Sequence, residues 1–383
     1  MKKVAILLTS LPQIGGEHSY LMILMKSLIK FDKKKYRLLA ICCNYFWTKW
    51  CRKRGITYIY YKQENYSYNY MMANARFPAF FKLYNTYNSL LGKLLSKNKI
   101  DLLISGQQGN FIPQFFCRTI QPVHDLMHRY EPDFEEIMVT YTEREKFFSS
   151  KARIADVILV DSKLGKKQYL ECYFEKRKHN ARVEVLPFVV SNICKKHEEY
   201  IDIPVKYIFY PAQFWEHKNH KNLILAIKIL KEKIPDIHLI LVGSEKNSLR
   251  MVKSLIQKNL LGNHISILGF VSDEQLVYLY KHAVAMVMPT YFGPTNIPPL
   301  EAMALGCPVI VSNKYAMGEQ VGEAGLLFNP DSSEDIAHCI MQVWNDAELR
   351  QNMIEKGYEQ SKKWTQKDFQ KRFIKIVVRE LNG

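Results

Sequence analysis

The sequence predicts an α/β chain built as two parallel-sheet domains. Short apolar runs alternate with longer amphipathic segments along almost its whole length, which is the pattern of strands joined by crossover helices. That alternation lapses over residues 187–204, where the patterning is poor, and restarts at Tyr207. At 383 residues and 48% hydrophobic, the chain exceeds one typical domain and can fill two cores.

In the first half, strands are expected at residues 3–8, 37–41, 56–60, 101–105, 157–160 and 183–186. Helices are expected at 17–31, 78–97, 134–155 and 163–173, the second carrying apolar residues at helical spacing with lysines at its end. Residues 49–54 are a basic and aromatic run, and residues 58–72 are rich in tyrosine. Such rings among lysines suit a membrane interface or a sugar-stacking surface. An irregular loop packed by its own aromatics is the simpler expectation. After the linker, strands are expected at 207–210, 238–242, 265–268, 285–288 and 309–311. Helices are expected at 223–234, 249–259, 273–281, 298–305, 336–344, 347–357 and 365–381, the last basic and amphipathic.

No segment approaches the roughly 20 continuous apolar residues of a membrane span. The opening MKKVAILLTSLP has two lysines before an apolar run, but the run is short, ends at Pro12 and lacks a small-residue cleavage pattern. A first buried strand and a cytoplasmic protein are therefore expected. The eight cysteines are scattered without C-x-x-C spacing, which predicts reduced core thiols and no zinc site. Residues 1–190 carry 31 Lys/Arg against 16 Asp/Glu, residues 191–360 carry 16 against 19, and residues 361–383 carry 7 against 2. A cationic first half should attract anionic surfaces: phospholipid head groups, a pyrophosphate carrier or nucleic acid. Nucleic acid is set aside because no recognised motif accompanies the charge.

The densest functional signal is PTYFGPTNIPPLEAMALGCPVIVS, residues 289–312. A buried strand leads through a Gly/Pro/Asn loop into a short helix, with Pro298 and Pro299 in its first turn and Asn296 as its expected cap. Such a helix N-terminus, facing the end of a parallel strand, favours a phosphate. Glu301 could accept hydrogen bonds from two ribose hydroxyls, or merely complement the helix dipole. Lys218, at a strand-to-helix turn, could reach a diphosphate as a mobile charge or stand as a solvated surface lysine. Gly15 and Gly16, between a strand and a helix, could cradle phosphate or simply allow close packing. The run 269–271 could meet a base through its backbone. His124, Asp125 and His128 near a strand end could serve acid/base work, line a sugar pocket, or include a structural histidine. A dehydrogenase is disfavoured because the glycine loop lacks G-x-G-x-x-G spacing.

Taken together these motifs resemble the family-4 retaining glycosyltransferases of the GT-B fold, two Rossmann-like domains facing each other across a cleft. Gly15-Gly16-Glu17 matches that family's N-terminal glycine loop, and His124-Asp125 matches its histidine facing the donor sugar. YPAQFWEHKNH stands where the family binds phosphate, GFVSDEQL where it contacts the base, and PPLEAMALGCPVIVS where the second Glu of Glu-x7-Glu holds the ribose. The resemblance implies catalytic roles for His124, Lys218 and Glu301, and donor contacts from Gly15, Gly16, Gln213, Phe270, Gly293, Thr295, Asn296, Ile297 and Glu301. Two positions depart from the pattern. The first Glu of the motif falls on Gly293, within an FGPTN variant of the loop, and the family's arginine falls on Gln213, which leaves more of the charge to Lys218 and His217.

The resemblance further implies a hexosyltransferase, mannosyltransferase-like, using a GDP- or UDP-sugar without metal or other cofactor. Its acceptor would be a glycan, polyprenyl-diphosphate-linked, in O-antigen or capsule synthesis. Domains at residues 1–190 and 205–360 are expected, with the final helix, residues 365–383, returning to the first. A peripheral site on the anionic inner membrane face follows. The rival expectation is a non-catalytic sugar-nucleotide- or glycan-binding assembly partner.

Overall fold

Among the described residues thirteen strands, all paired in parallel, make two sheets. The first contains β1 (Lys2–Leu8), β2 (Tyr36–Cys42), β3 (Tyr58–Tyr60), β4 (Leu102–Ser105), β5 (Arg118–Pro122), β6 (Val157–Val160) and β7 (Arg182–Val185), in the order β3-β2-β1-β4-β5-β6-β7. The second contains β8 (Ile208–Pro211), β9 (Leu239–Val242), β10 (Ile265–Gly269), β11 (Ala285–Met288), β12 (Val309–Ser312) and β13 (Gly325–Phe328), in the order β10-β9-β8-β11-β12-β13. This computed structural model describes residues 1–12, 16–174, 181–293 and 295–382. Gly15 and Pro294 lie outside them.

Helices cover both faces of a parallel sheet, which is why its central strands are near-continuous apolar runs. Every residue of β4, β6, β9, β11 and β12 is buried. The chain divides into two compact units: residues 1–130, 140–187 and 366–383 in the first, residues 131–139 and 188–365 in the second. The short excursion Glu131–Val139 thus packs with the second unit although its neighbours in sequence belong to the first. Helix Gln366–Asn382 is part of the first unit: Phe369 and Phe373 are fully buried, and the Glu380 carboxylate receives Arg118, at 2.8 Å, and Arg182.

Several elements differ from the expectation. The segment 78–97 is two helices, Pro78–Asn88 and Leu90–Lys97, because Ser89 turns extended and its hydroxyl caps the second through the Gly92 amide. The predicted helix 134–155 is likewise Glu135–Met138 followed by Tyr141–Ile154. The basic and aromatic run is the end of helix Tyr45–Arg52, and the tyrosine-rich stretch holds β3 and helix Tyr68–Arg76. Tyr61 and Tyr66 there both donate to Glu64, whose carboxylate also takes the Leu90 and Leu91 amides. These rings are packing and capping groups. β5 and β13 escape periodicity analysis because each is short and mixes polar or glycine residues into the run.

Candidate active site

In open parallel sheets ligands collect beyond the carboxyl ends of strands, where strand order reverses. In the second unit that point lies between β8 and β11, which pair directly. The loop after Pro211 carries Gln213 to Lys218, and the loop after Met288 carries Thr290 to Asn296. Asn219 stitches the two together. It is buried, adopts the left-handed conformation (φ 56°), caps helix His220–Lys231 through the Asn222 amide, and donates to the carbonyls of Pro289 at 3.0 Å and Pro330 at 2.8 Å. The His217 carbonyl then accepts the Tyr291 amide at 2.9 Å and the Thr290 hydroxyl at 3.3 Å. Lys218 ends the turn Glu216–Lys218 on this seam, and its carbonyl accepts the Tyr210 hydroxyl at 2.9 Å.

Glu301 lies on helix Ile297–Ala304 and is 7% exposed. Its Oε2 accepts the fully buried Tyr280 hydroxyl at 2.9 Å, and Ser191 also bonds the carboxyl. Burial raises its pKa above the usual carboxyl value, while the bonds from Ser191 and Tyr280 pull it partly back. The carboxyl is therefore aimed by two hydroxyls and has lone pairs left for a further donor.

The start of that helix departs from the expectation in two ways. Asn296 occupies the cap position, but its side chain makes no capping bond; it donates instead to the Gly293 carbonyl at 3.3 Å. Pro298 and Pro299 also remove two of the first three helical amides, and Gln320 engages the Asn296 amide at 2.9 Å. Backbone donors for a phosphate are accordingly fewer than a helix start normally offers. Gly293 has φ +124°, and a Cβ placed there would stand 2.7 Å from the side-chain Nδ2 of Asn296. This loop shape demands glycine, so a glutamate could not simply be restored.

Gln213 is occupied by Trp215, whose indole N–H donates to its Oε1 at 3.0 Å. Phe270 is 83% exposed just beyond β10, an edge strand separated from β8 by β9. Thr295 and Ile297 are half-buried in the loop and at the helix start. Sequence reading missed Glu136. It comes from the excursion Glu131–Val139, and its Oε1 lies 2.6 Å from His217 Nδ1, while its other oxygen accepts from Asn247 at 2.9 Å. Burial alone would raise the Glu136 pKa, but the bonds from His217 and Asn247 bring it down to about 2. Nothing local in the sequence announces this pairing. Asn219 could have been read as a cap from its place before an apolar helix.

The first unit holds the other predicted residues. Gly16 opens helix Gly16–Leu28. His124 follows β5 with its amide donating to Gln108 Oε1 and its ring edge-on to Tyr20, centroids 4.7 Å apart. Burial, helped by the charge of Lys151 and opposed by Asp125, pushes its pKa down to about 4, so it is a neutral imidazole near pH 7. Asp125 is desolvated too, yet Arg144 at 2.9 Å, the Met127 amide and Gln108 hold it below the usual carboxylate value. Lys151 sits beneath, donating to the Gln108 carbonyl at 2.6 Å, and burial lowers its pKa to about 7. His128 is a core histidine, stacked on Phe148 and bonded to Glu145 and Tyr173.

Residues 195–360 match the family Glycosyl transferases group 1. That match covers most of the second unit and less than half of the chain. Relatives of the chain include the Escherichia coli O-antigen chain mannosyltransferase B, 32% identical over 160 residues that span 42% of each chain. Another is the Salmonella typhimurium O-antigen chain mannosyltransferase RfbU, 30% identical over 129 residues, 34% of this chain and 36% of the relative. The chain thus spans less than half the length of these curated relatives. Among solved structures, sucrose-phosphate synthase from Thermosynechococcus elongatus superposes with a TM-score of 0.73 over 99% of both chains at 18% identity. Anabaena HepE in complex with UDP does so at 0.69, over 99% of this chain and 100% of that one, at 15% identity. The chain therefore has the GT-B fold. Lys218, Gln213, Phe270, Gly293 and Glu301 all fall inside the matched residues; His124 and Gly16 do not.

Proposed function

We propose that the chain is a nucleotide-sugar-dependent glycosyltransferase that moves a hexose, mannose foremost, onto a glycan carried by a polyprenyl diphosphate. The product would serve a surface polysaccharide such as O-antigen or capsule. One observation carries this reading. At the β8/β11 switch point, inside the residues that match the group 1 family, the loop carrying Lys218 is stitched to the loop that leads into the helix of Glu301, whose carboxyl is oriented by Tyr280 and Ser191. The names of the two O-antigen chain mannosyltransferases support mannose as the sugar and a glycan as the acceptor.

In this reading the GDP- or UDP-diphosphate rests on the 213–218 loop and the start of helix Ile297–Ala304, with Lys218 balancing charge on the leaving group. Glu301 accepts the two ribose hydroxyls and Phe270 lies against the base. The acceptor hydroxyl oxygen bonds to the anomeric carbon as the bond from that carbon to the diphosphate breaks. The hydroxyl proton passes to the departing phosphate oxygen on the same face, which retains configuration. His124, neutral, is assigned to the donor sugar through hydrogen bonding rather than charge. The nucleotide sugar is a substrate, and the scheme uses no metal or resident cofactor. The basic first unit holds the enzyme at the inner face of the cytoplasmic membrane, where such acceptors reside.

A thermal-shift panel of UDP-, GDP- and dTDP-sugars selects the donor. Release of nucleoside diphosphate on adding a polyprenyl-diphosphate-linked glycan then establishes transfer. Stabilisation without release would favour a non-catalytic binding protein, and indifference to every sugar nucleotide would overturn the proposal.

A further inference from the structure

Helix Pro78–Asn88 in the first unit inverts the usual arrangement of an amphipathic helix. Its buried residues are polar, Asn85 and Thr86, while Phe80, Leu83, Tyr84 and Tyr87 are 62, 54, 46 and 60% exposed. These four follow i, i+3, i+4, i+7 spacing and so form one solvent-facing stripe. The inversion is anchored. Asn85 donates to the Gln114 carbonyl at 3.1 Å, the Thr86 hydroxyl accepts the Phe116 amide at 3.3 Å, and the helix packs so tightly on Leu90–Lys97 that a Cβ at Gly92 would lie 1.9 Å from the Asn85 carbonyl. The rings therefore face water in a fixed helix, where single exposed hydrophobics would be ordinary but a continuous aromatic stripe is not.

Beside this helix lies a cavity of about 820 Å³. Lys82 comes from the same helix, and Phe116, itself 56% exposed, lies between Lys82, 5.6 Å from its ring, and Tyr87. Among the described residues, four cations line the cavity, Lys82, Arg118, Arg153 and Arg182, against two carboxylates, Asp156 and Glu380. Glu380 serves Arg118 and Arg182 together, and Asp156 is bonded to the Thr119 amide at 2.7 Å. An aromatic stripe next to a positively charged cavity is complementary to one kind of partner: a surface whose apolar layer lies just under an anionic head group.

We propose that helix Pro78–Asn88 and this cavity form a membrane-docking surface, with the stripe entering the interface of a bilayer and the cavity receiving the phosphate of an anionic phospholipid. This rests on the membrane association proposed above and gives it a location; it is independent of the sugar-transfer chemistry. Tyrosine suits the position, since its ring enters the apolar layer while its hydroxyl stays among the head groups.

The test is flotation of the full chain with phosphatidylcholine vesicles, with and without phosphatidylglycerol. Wild type should float with the anionic vesicles. F80S/L83S/Y87S should bind them at least about tenfold more weakly, because three interfacial anchors are removed. K82E/R153E should lose the preference for phosphatidylglycerol while keeping the stripe. Thermal melting and donor turnover with a water-soluble acceptor should be unchanged in both, since none of these residues belongs to the sugar-nucleotide site. Flotation of the triple variant equal to wild type overturns the surface assignment alone. A wild type that fails to float removes membrane association as well and leaves the transferase proposal standing. A stripe that instead holds two copies together, seen as a dimer in sedimentation that F80S/L83S/Y87S dissociates, also overturns it.

Discussion

Replacing Glu301 separates its structural role from its chemical one. The carboxyl is buried and accepts the hydroxyl of Tyr280, which is itself fully buried. Glu301→Ala therefore strands that hydroxyl, at a stability cost of about 1–3 kcal/mol, before any effect on substrate. Glu301→Gln keeps an acceptor for Tyr280 and a similar volume but surrenders the charge that strengthens bonds from two ribose hydroxyls. Losing such an oriented contact costs on the order of 2–4 kcal/mol of transition-state stabilisation, which is about 30- to 900-fold in kcat/KM. The assay is nucleoside diphosphate release under donor-limiting conditions, read beside a thermal melt of each variant. Gln should melt within about 2 °C of wild type while losing turnover, and Ala should lose both. A Gln variant within about threefold of wild-type kcat/KM, folded normally, would refute the ribose assignment.

Lys218→Ala should cost about 2–4 kcal/mol of transition-state stabilisation, read as a fall in kcat/KM beside a thermal melt of the variant; turnover near wild type would remove the diphosphate assignment. Glu136→Gln takes the charge from the partner of His217 and should raise the donor KM about five- to tenfold, with Asp recovering part of the loss, as donor titrations will show. Gly293→Ala forces a side chain into φ +124° and against Asn296, and should destabilise the fold by about 1–3 kcal/mol in denaturant unfolding. His220 is buried against Phe214, and burial lowers its pKa from 6.5 to about 3. A histidine depressed in the folded state binds fewer protons there than when unfolded, so stability is full above pH 6.5 and falls as the pH drops toward 3. Between pH 6.5 and 4 it should lose on the order of 3 kcal/mol, and His220→Phe should flatten that slope in pH-dependent denaturant melts.

The two-sheet α/β architecture was legible because buried parallel strands write themselves as apolar runs, as at residues 285–288 and 309–311, and because glycine and proline punctuate the turns between them. Asn296 was legible as a helix boundary but not as a side chain: its amide is drawn to the Gly293 carbonyl by the loop, a tertiary choice among bonds of similar strength. The split of helix Pro78–Asn88 from Leu90–Lys97 was hidden, since Ser89 is tolerated inside a helix and becomes a cap only when Gly92 must lie against Asn85.

By itself the sequence determined the fold class, the loop and helix around Glu301, and the turn around Lys218, because each rests on local periodicity and turn chemistry. Tertiary structure alone decided which loops meet. Asn219 ties residues 213–218 to residues 289–293 across β8 and β11, Tyr280 and Ser191 aim Glu301 from distant elements, and Glu136 reaches His217 from 81 residues away. It also decided which face of helix Pro78–Asn88 meets water. Hydrophobic spacing records that a residue is apolar; whether it is covered depends on what the rest of the chain has left to cover it.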